Sequence, residues 1–224
     1  MKKINIFNFA MLIPLLVADV FYIIYGTLLV KSVASLLFVT IGLVNLIYTL
    51  KTKGKNAAVY LLFIGLCFAC FGDIFLELYF IVGAIFFGVG HVFYFMSYCA
   101  IIKFNFKDLI YGVVIFVPVL ITILFVPIFD FGGILMQIVS CVYALIISLM
   151  VGKAIANFIK EKSILNLIIL IGSALFFFSD FMLLFNVFTD LSIVFGLLCL
   201  LTYYPAEFLL AYSILKIRRN KFEA

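Results

Sequence analysis

Apolar residues in this chain do not alternate with polar ones. They run on in unbroken stretches of ~20, separated by short clusters of charge, glycine or proline. Eight stretches can be drawn, over residues 6–25, 32–50, 57–78, 82–102, 108–126, 132–152, 164–187 and 192–215. At 1.5 Å rise per residue, an α-helix of that length crosses a hydrocarbon core ~30 Å thick. Membrane-barrel strands would show a two-residue alternation instead. The pattern predicts an all-α fold, a polytopic bundle of about eight transmembrane helices, with residues 1–224 forming a single transmembrane domain.

Composition removes the alternatives. Of 224 residues, 68% are hydrophobic and 11% charged, against about 25% charged in an ordinary soluble domain. No soluble surface can be made from what is left. The start, Met1-Lys2-Lys3 followed by an apolar run, imitates a signal peptide, but Asp19 falls where a small-residue cleavage site belongs. It reads as a retained first helix.

The net charge of +5 would suit an acidic partner if it were gathered in one patch, but it is not. Lys2 and Lys3 precede the first stretch, and Lys51, Lys53 and Lys55 follow the second. Lys103 and Lys107 follow the fourth; Lys153, Lys160 and Lys162 follow the sixth; Lys216, Arg218, Arg219 and Lys221 follow the eighth. Of fifteen basic residues, only Lys31 is outside these alternate connections. The positive-inside rule then predicts a multi-pass protein of the cell membrane with both termini in the cytoplasm, and no nucleic-acid partner. Lys31 stands at the other end of the second helix, either snorkelling to the outer surface or placed for an anionic substrate group or a buried carboxylate.

Cys67, Cys70, Cys99, Cys141 and Cys199 all lie inside apolar runs and are expected to be free thiols. Cys67-x-x-Cys70 has neither a second pair nor a histidine cluster beside it, and no metal or other cofactor is expected.

Ionisable side chains inside a membrane are costly, ~2.5–3.5 kcal/mol at the centre on insertion scales, and tend to mark function. Here they are Asp19, Asp73, Glu77, His91, Asp180 and Glu207. Asp73 lies 16 residues beyond Ala57, and Asp180 16 beyond Ile164. Both therefore stand ~24 Å up their helices, in the outer half of the membrane. Asp19 and His91 fall in the same slab.

Gly65 to Asp73 also aligns with Gly172 to Asp180, each a glycine followed by a small residue and an aspartate at the same spacing. That match points to two parallel four-helix repeats, although the first two helices of each half match less well. Helical spacing puts Gly65, Ala69, Asp73 and Glu77 on one stripe and His91, Tyr94 and Tyr98 on another. Tyr203 and Tyr204 stand one turn before Glu207. Glycines on these helices permit close approach.

At these positions the sequence resembles the lysoplasmalogenase (YhhN-type) family of membrane hydrolases. The resemblance rests on Phe71-Gly72-Asp73-Ile-Phe-Leu76, Gly83-x3-Phe87-x2-Gly90-His91-x2-Tyr94, Phe178-Ser179-Asp180-Phe-Met-Leu183 and Tyr203-Tyr204-Pro-Ala-Glu207-x-Leu209. Lys31 is similar to the lysine of the family's Lys-Pro, with Ser32 in place of the proline. The last motif usually ends in Gln, where this chain has Glu207.

The resemblance implies hydrolysis of the vinyl-ether bond of a lysoplasmalogen, a membrane lipid, to a fatty aldehyde and a glycerophospho-alcohol. Vinyl ethers are cleaved by protonating the β-carbon and capturing the resulting cation with water, chemistry that two neighbouring carboxyls of opposite protonation state can perform. On that reading Asp73 and Asp180, with His91, are the catalytic group. Lys31 holds the phosphate, and Asp19, Tyr94, Tyr203, Tyr204 and Glu207 complete substrate binding. Buried carboxylates and a parallel repeat equally fit a proton-coupled small-molecule transporter.

The orientation has a direct check. A cysteine introduced as Asp130→Cys, in the connection after the fifth helix, is expected to react with an impermeant thiol reagent applied from outside the cell. Labelling from the cytoplasmic side alone would reverse the topology.

Overall fold

With no water in the hydrocarbon core, a spanning segment must satisfy its backbone internally, and the continuous apolar runs do so as helices. A computed structural model describes residues 2–190 and 192–217. The helices are α1 (Lys2–Tyr25), α2 (Leu28–Lys53), α3 (Ala57–Leu78), α4 (Phe80–Ile101), α5 (Leu109–Phe125), α6 (Ile134–Lys160), α7 (Ile164–Phe188) and α8 (Ser192–Ser213). Short 3₁₀ turns at Phe106–Asp108 and Ile214–Lys216 lead into α5 and close α8. Among the described residues there is no strand, and eight helical spans are long and apolar enough to cross a membrane. Leu191, in the last expected outer connection, and Arg218, Arg219 and Lys221, of the C-terminal basic group, lie outside the described residues.

Three helices run well past their expected limits: α1 begins at Lys2 rather than 6, α2 spans 28–53 rather than 32–50, and α6 reaches Lys160 rather than 152. The sixth helix was expected to stop near 152, ahead of Lys153, but α6 continues to Lys160. Lys153 is no loop residue. It is 1% exposed, and its Nζ donates to Asp108 Oδ2 at 2.8 Å while Lys160 donates to Oδ1 of the same carboxylate at 2.5 Å. One aspartate at the start of α5 thus anchors α6 at two points about two turns apart. The second helix starts four residues earlier than expected, at Leu28, which places Lys31 within its first turn.

Three antiparallel hairpins, α3–α4, α5–α6 and α7–α8, make the closest helix pairs. Helix α2 packs on α3 and α8, α6 packs on α4 and α7, and α1 lies against α2 and α8. The pairings α2 with α8 and α6 with α4 have the relation that two four-helix repeats would produce. They do not establish the repeat, because α1 also packs on α8 while α5 makes no comparable packing on α4 among the described residues. Apolar side chains such as Ile13, Leu36, Val114 and Ile121 face outward, as a lipid-facing surface requires.

Association inside lipid relies on close packing and interhelical hydrogen bonds rather than on water exclusion. Asn8 of α1 and Asn45 of α2 exchange two amide bonds of 2.9 and 2.7 Å, and Asn45 also donates to the Ala211 carbonyl of α8 at 3.0 Å. Lys53 donates to the carbonyls of Leu215 and Ile217 at 2.7 and 2.9 Å, occupying acceptors that the end of the eighth span would otherwise leave open. Asn157 of α6 donates to the Tyr98 carbonyl of α4 at 2.8 Å.

At the α5–α6 crossing two glycines face each other. A Cβ on Gly152 would land on the backbone of Gly112, which cannot yield as a side-chain tip can. Gly152→Val is therefore expected to destabilise the protein by at least ~1–3 kcal/mol, read as a lower thermal midpoint in detergent. Gly88→Ala, whose Cβ meets only ordinary contacts at 3.9 Å, is expected to leave that midpoint close to wild type. Equal midpoints for Gly152→Val and wild type would refute the tight crossing.

Candidate functional site

Lys31, Asp73, Glu77, Asp180 and Tyr203 gather toward the end of the bundle where α1 meets α2, α3 meets α4 and α7 meets α8. A cavity of about 210 Å³ lies there. Asp73 of α3 and Asp180 of α7 both line it, with Lys31, Glu77, Tyr22 and Tyr203. Two carboxyls on helices four apart in sequence therefore face one space.

Each aspartate has two polar side chains converging on a single oxygen. Asp73 is 2% exposed, and its Oδ2 accepts from Ser35 Oγ at 2.5 Å and from the Tyr203 hydroxyl at 2.8 Å. Asp180 Oδ2 accepts from the Tyr143 hydroxyl at 2.5 Å and lies 3.2 Å from His91 Nε2, which is itself 2.9 Å from the Tyr143 oxygen. Holding Oδ2 in this way fixes both carboxyl planes and leaves Oδ1 uncommitted to these groups. The imidazole of His91 is set edge-on against Phe176, with ring centroids 4.7 Å apart. Phe176 meets Tyr203 in the same manner at 5.3 Å. This aromatic contact chain ties the supports of the two aspartates together.

At the outer end of the cavity Lys31 Nζ bonds Glu77 at 2.8 Å, and the Tyr22 hydroxyl donates to the same carboxylate. The ammonium also lies 5.2 Å from the centre of the Tyr22 ring. Lys31 is only 5% exposed, so the interfacial, snorkelling alternative gives way to a lysine paired inside the bundle. Its carboxylate partner is one-third exposed and gives the group its route to solvent.

The remaining sequence candidates fall into two other places. Tyr94 and Glu207 form a pair deeper in the bundle, the tyrosine hydroxyl donating to Glu207 Oε2 at 2.9 Å with both residues fully buried. Gly65 makes that position available to Tyr94, since a Cβ there would overlap the tyrosine ring. Neither residue lines the cavity. Asp19 and Tyr204 are buried beside the site without lining it: Asp19 is 1% exposed, and Tyr204 packs edge-on against Tyr203 at 4.9 Å.

Sequence reasoning missed Tyr143 and Ser35, the strongest donors to the two aspartates. Ser35 follows Lys31 by one helical turn and could have been found from that spacing. Tyr143 sits in a largely apolar stretch, and no motif marks it. Among the described residues no group of three His, Cys, Asp or Glu side chains could hold a metal ion, and the five cysteines are free.

The fold and site define a polytopic membrane protein with a cavity lined by two buried aspartates and, beside Lys31, a partly exposed glutamate. Residues 26–214 match the model of the YhhN family, and the chain belongs to that family, which is the lysoplasmalogenase family. No curated protein and no solved structure matches the chain.

Proposed function

We propose that this protein is a membrane hydrolase that cleaves the vinyl-ether bond of lysoplasmalogens, yielding a fatty aldehyde and a glycerophospho-alcohol. The observation that carries the reading is that Asp73 and Asp180 line one cavity, each with two polar side chains converging on one carboxyl oxygen. Family membership supports the same class of reaction.

The chemistry needs a proton at the β-carbon of the vinyl ether and a base for the water that captures the cation. Two carboxyls of opposite protonation state supply both, and an ionised one also offsets the positive charge that develops between these steps. Positioned donors cost no reorganisation at the moment of reaction, which is where such electrostatic help is largest. Tyr143, His91, Tyr203 and Ser35 serve as positioning groups. Lys31, at the outer end of the cavity, meets the substrate phosphate in exchange for part of its pairing with Glu77.

Purified protein in detergent is expected to release free aldehyde from a lysoplasmalogen. Asp73→Asn and Asp180→Asn should each lower that release by about 10²–10⁴-fold while keeping the wild-type thermal midpoint. A folded wild type that releases no aldehyde, or that only carries the lipid into vesicles, would overturn the hydrolase reading.

A further inference from the structure

A second space adjoins the polar cavity at Asp180, between α4, α5, α6 and α7, with a lining that includes Val119, Ile123, Ala144, Ile147, Phe177 and Phe181. Leu76, Phe80, Phe87, Asp180 and Leu183 border both spaces. Asp73 and Lys31 border only the polar one, and Tyr143 only the apolar one. Taken together, the two adjoining spaces have a cation on one side and an apolar slot on the other, with one aspartate bordering both and the other on the cation's side.

This shape breaks the symmetry between the two carboxyls. A single-chain lysophospholipid carries its phosphate at one end and its hydrocarbon at the other, so it fits only one way round. We propose that the slot between α4 and α7 takes the substrate's hydrocarbon chain, and that the resulting orientation makes Asp180 the proton donor and Asp73 the base. The slot stands on the observed cavity, while the assignment of roles rests on the vinyl-ether reading above.

In that orientation the chain-side carbon of the double bond, the β-carbon, lies next to Asp180. The ether-bearing α-carbon lies toward Asp73 and Lys31. Asp180 delivers its proton to the β-carbon, and the π electrons form the new C–H bond. Water adds to the α-carbon of the oxocarbenium ion and passes a proton to Asp73. The hemiacetal then collapses: the C–O bond to glycerol breaks, the glycerol oxygen takes the proton from Asp73, and the hemiacetal hydroxyl proton goes to Asp180. Both carboxyls return to their starting states, and one water has been consumed. Tyr143 and His91 act through Asp180, as Tyr203 and Ser35 act through Asp73.

Two measurements on the full-length protein in detergent separate the parts of the proposal. The first is binding of ester-linked lysophosphatidylethanolamines of increasing chain length, which contain no vinyl ether. Ala144→Phe fills the slot and should weaken the long-chain ligands by ~10-fold or more, as the loss of several buried methylenes implies. The shortest ligands should change little. Ile123→Ala enlarges the slot, guards against misfolding of the larger variant, and should shift preference toward longer chains. Unchanged chain-length preference in both variants overturns the slot.

The second measurement adds azide to Asp73→Ala and Asp180→Ala with lysoplasmalogen as substrate. Azide is already an anionic nucleophile and needs no base, so it should restore consumption of the vinyl ether by Asp73→Ala, giving the azide adduct, and not by Asp180→Ala. Rescue of Asp180→Ala, or of neither variant, overturns the assignment. Failure of the wild type itself to release aldehyde would instead count against the hydrolase reading, with the slot still judged by the binding series.

Discussion

A polar side chain in the membrane interior is costly unless it finds a partner within the protein, because lipid offers none. That requirement organises this bundle. At the lysine-rich end it produces structural ties: the Asn8–Asn45 amide pair, the Asp108 anchor for Lys153 and Lys160, and the Lys53 bonds to the end of the eighth span. At the opposite end it produces a layer whose groups are paired only in part and face a cavity. The ties hold the helices together, while the cavity keeps two carboxyls where a substrate could reach them.

Placing two acids in one low-dielectric space is unfavourable unless their charge states differ or a cation stands near. Both remedies are within reach here. Lys31 lines the same cavity as the aspartates; Asp73 is held by two hydroxyls and Asp180 by the Tyr143 hydroxyl and the His91 ring, and neither carboxylate bonds a lysine ammonium that would lock it permanently as an anion. The arrangement suits proton transfer better than it suits stability. That contrast with Asp108, bracketed by two ammonium groups, distinguishes a site from an anchor within one chain.

Much of this was legible before any coordinates. The count and approximate limits of the helices followed from unbroken apolar runs, and Asp73, Asp180 and His91 followed from depth along helices of known rise. Tyr203 was found because it stands one turn before Glu207 on the eighth helix. The glutamate itself belongs to a different, deeper pair, which spacing along one helix cannot reveal. Lys31 was undecided between the surface and the interior until its partner Glu77, 46 positions away, was seen beside it. Tyr143 could not have been chosen at all, since a tyrosine in an apolar run has many structural uses.

Hydropathy and rise per residue act along one helix at a time, so the sequence by itself determined that the chain crosses the membrane, about where each helix lies, and which ionisable groups share a level. It also carried the family's motifs in order. Rotation of each helix about its axis, and which neighbour it meets, depend on side-chain packing between segments distant in the chain. Only the tertiary structure decided that Asp73 and Asp180 face one cavity, that Asp19, Tyr204 and Glu207 do not, and that an apolar slot adjoins one aspartate and not the other.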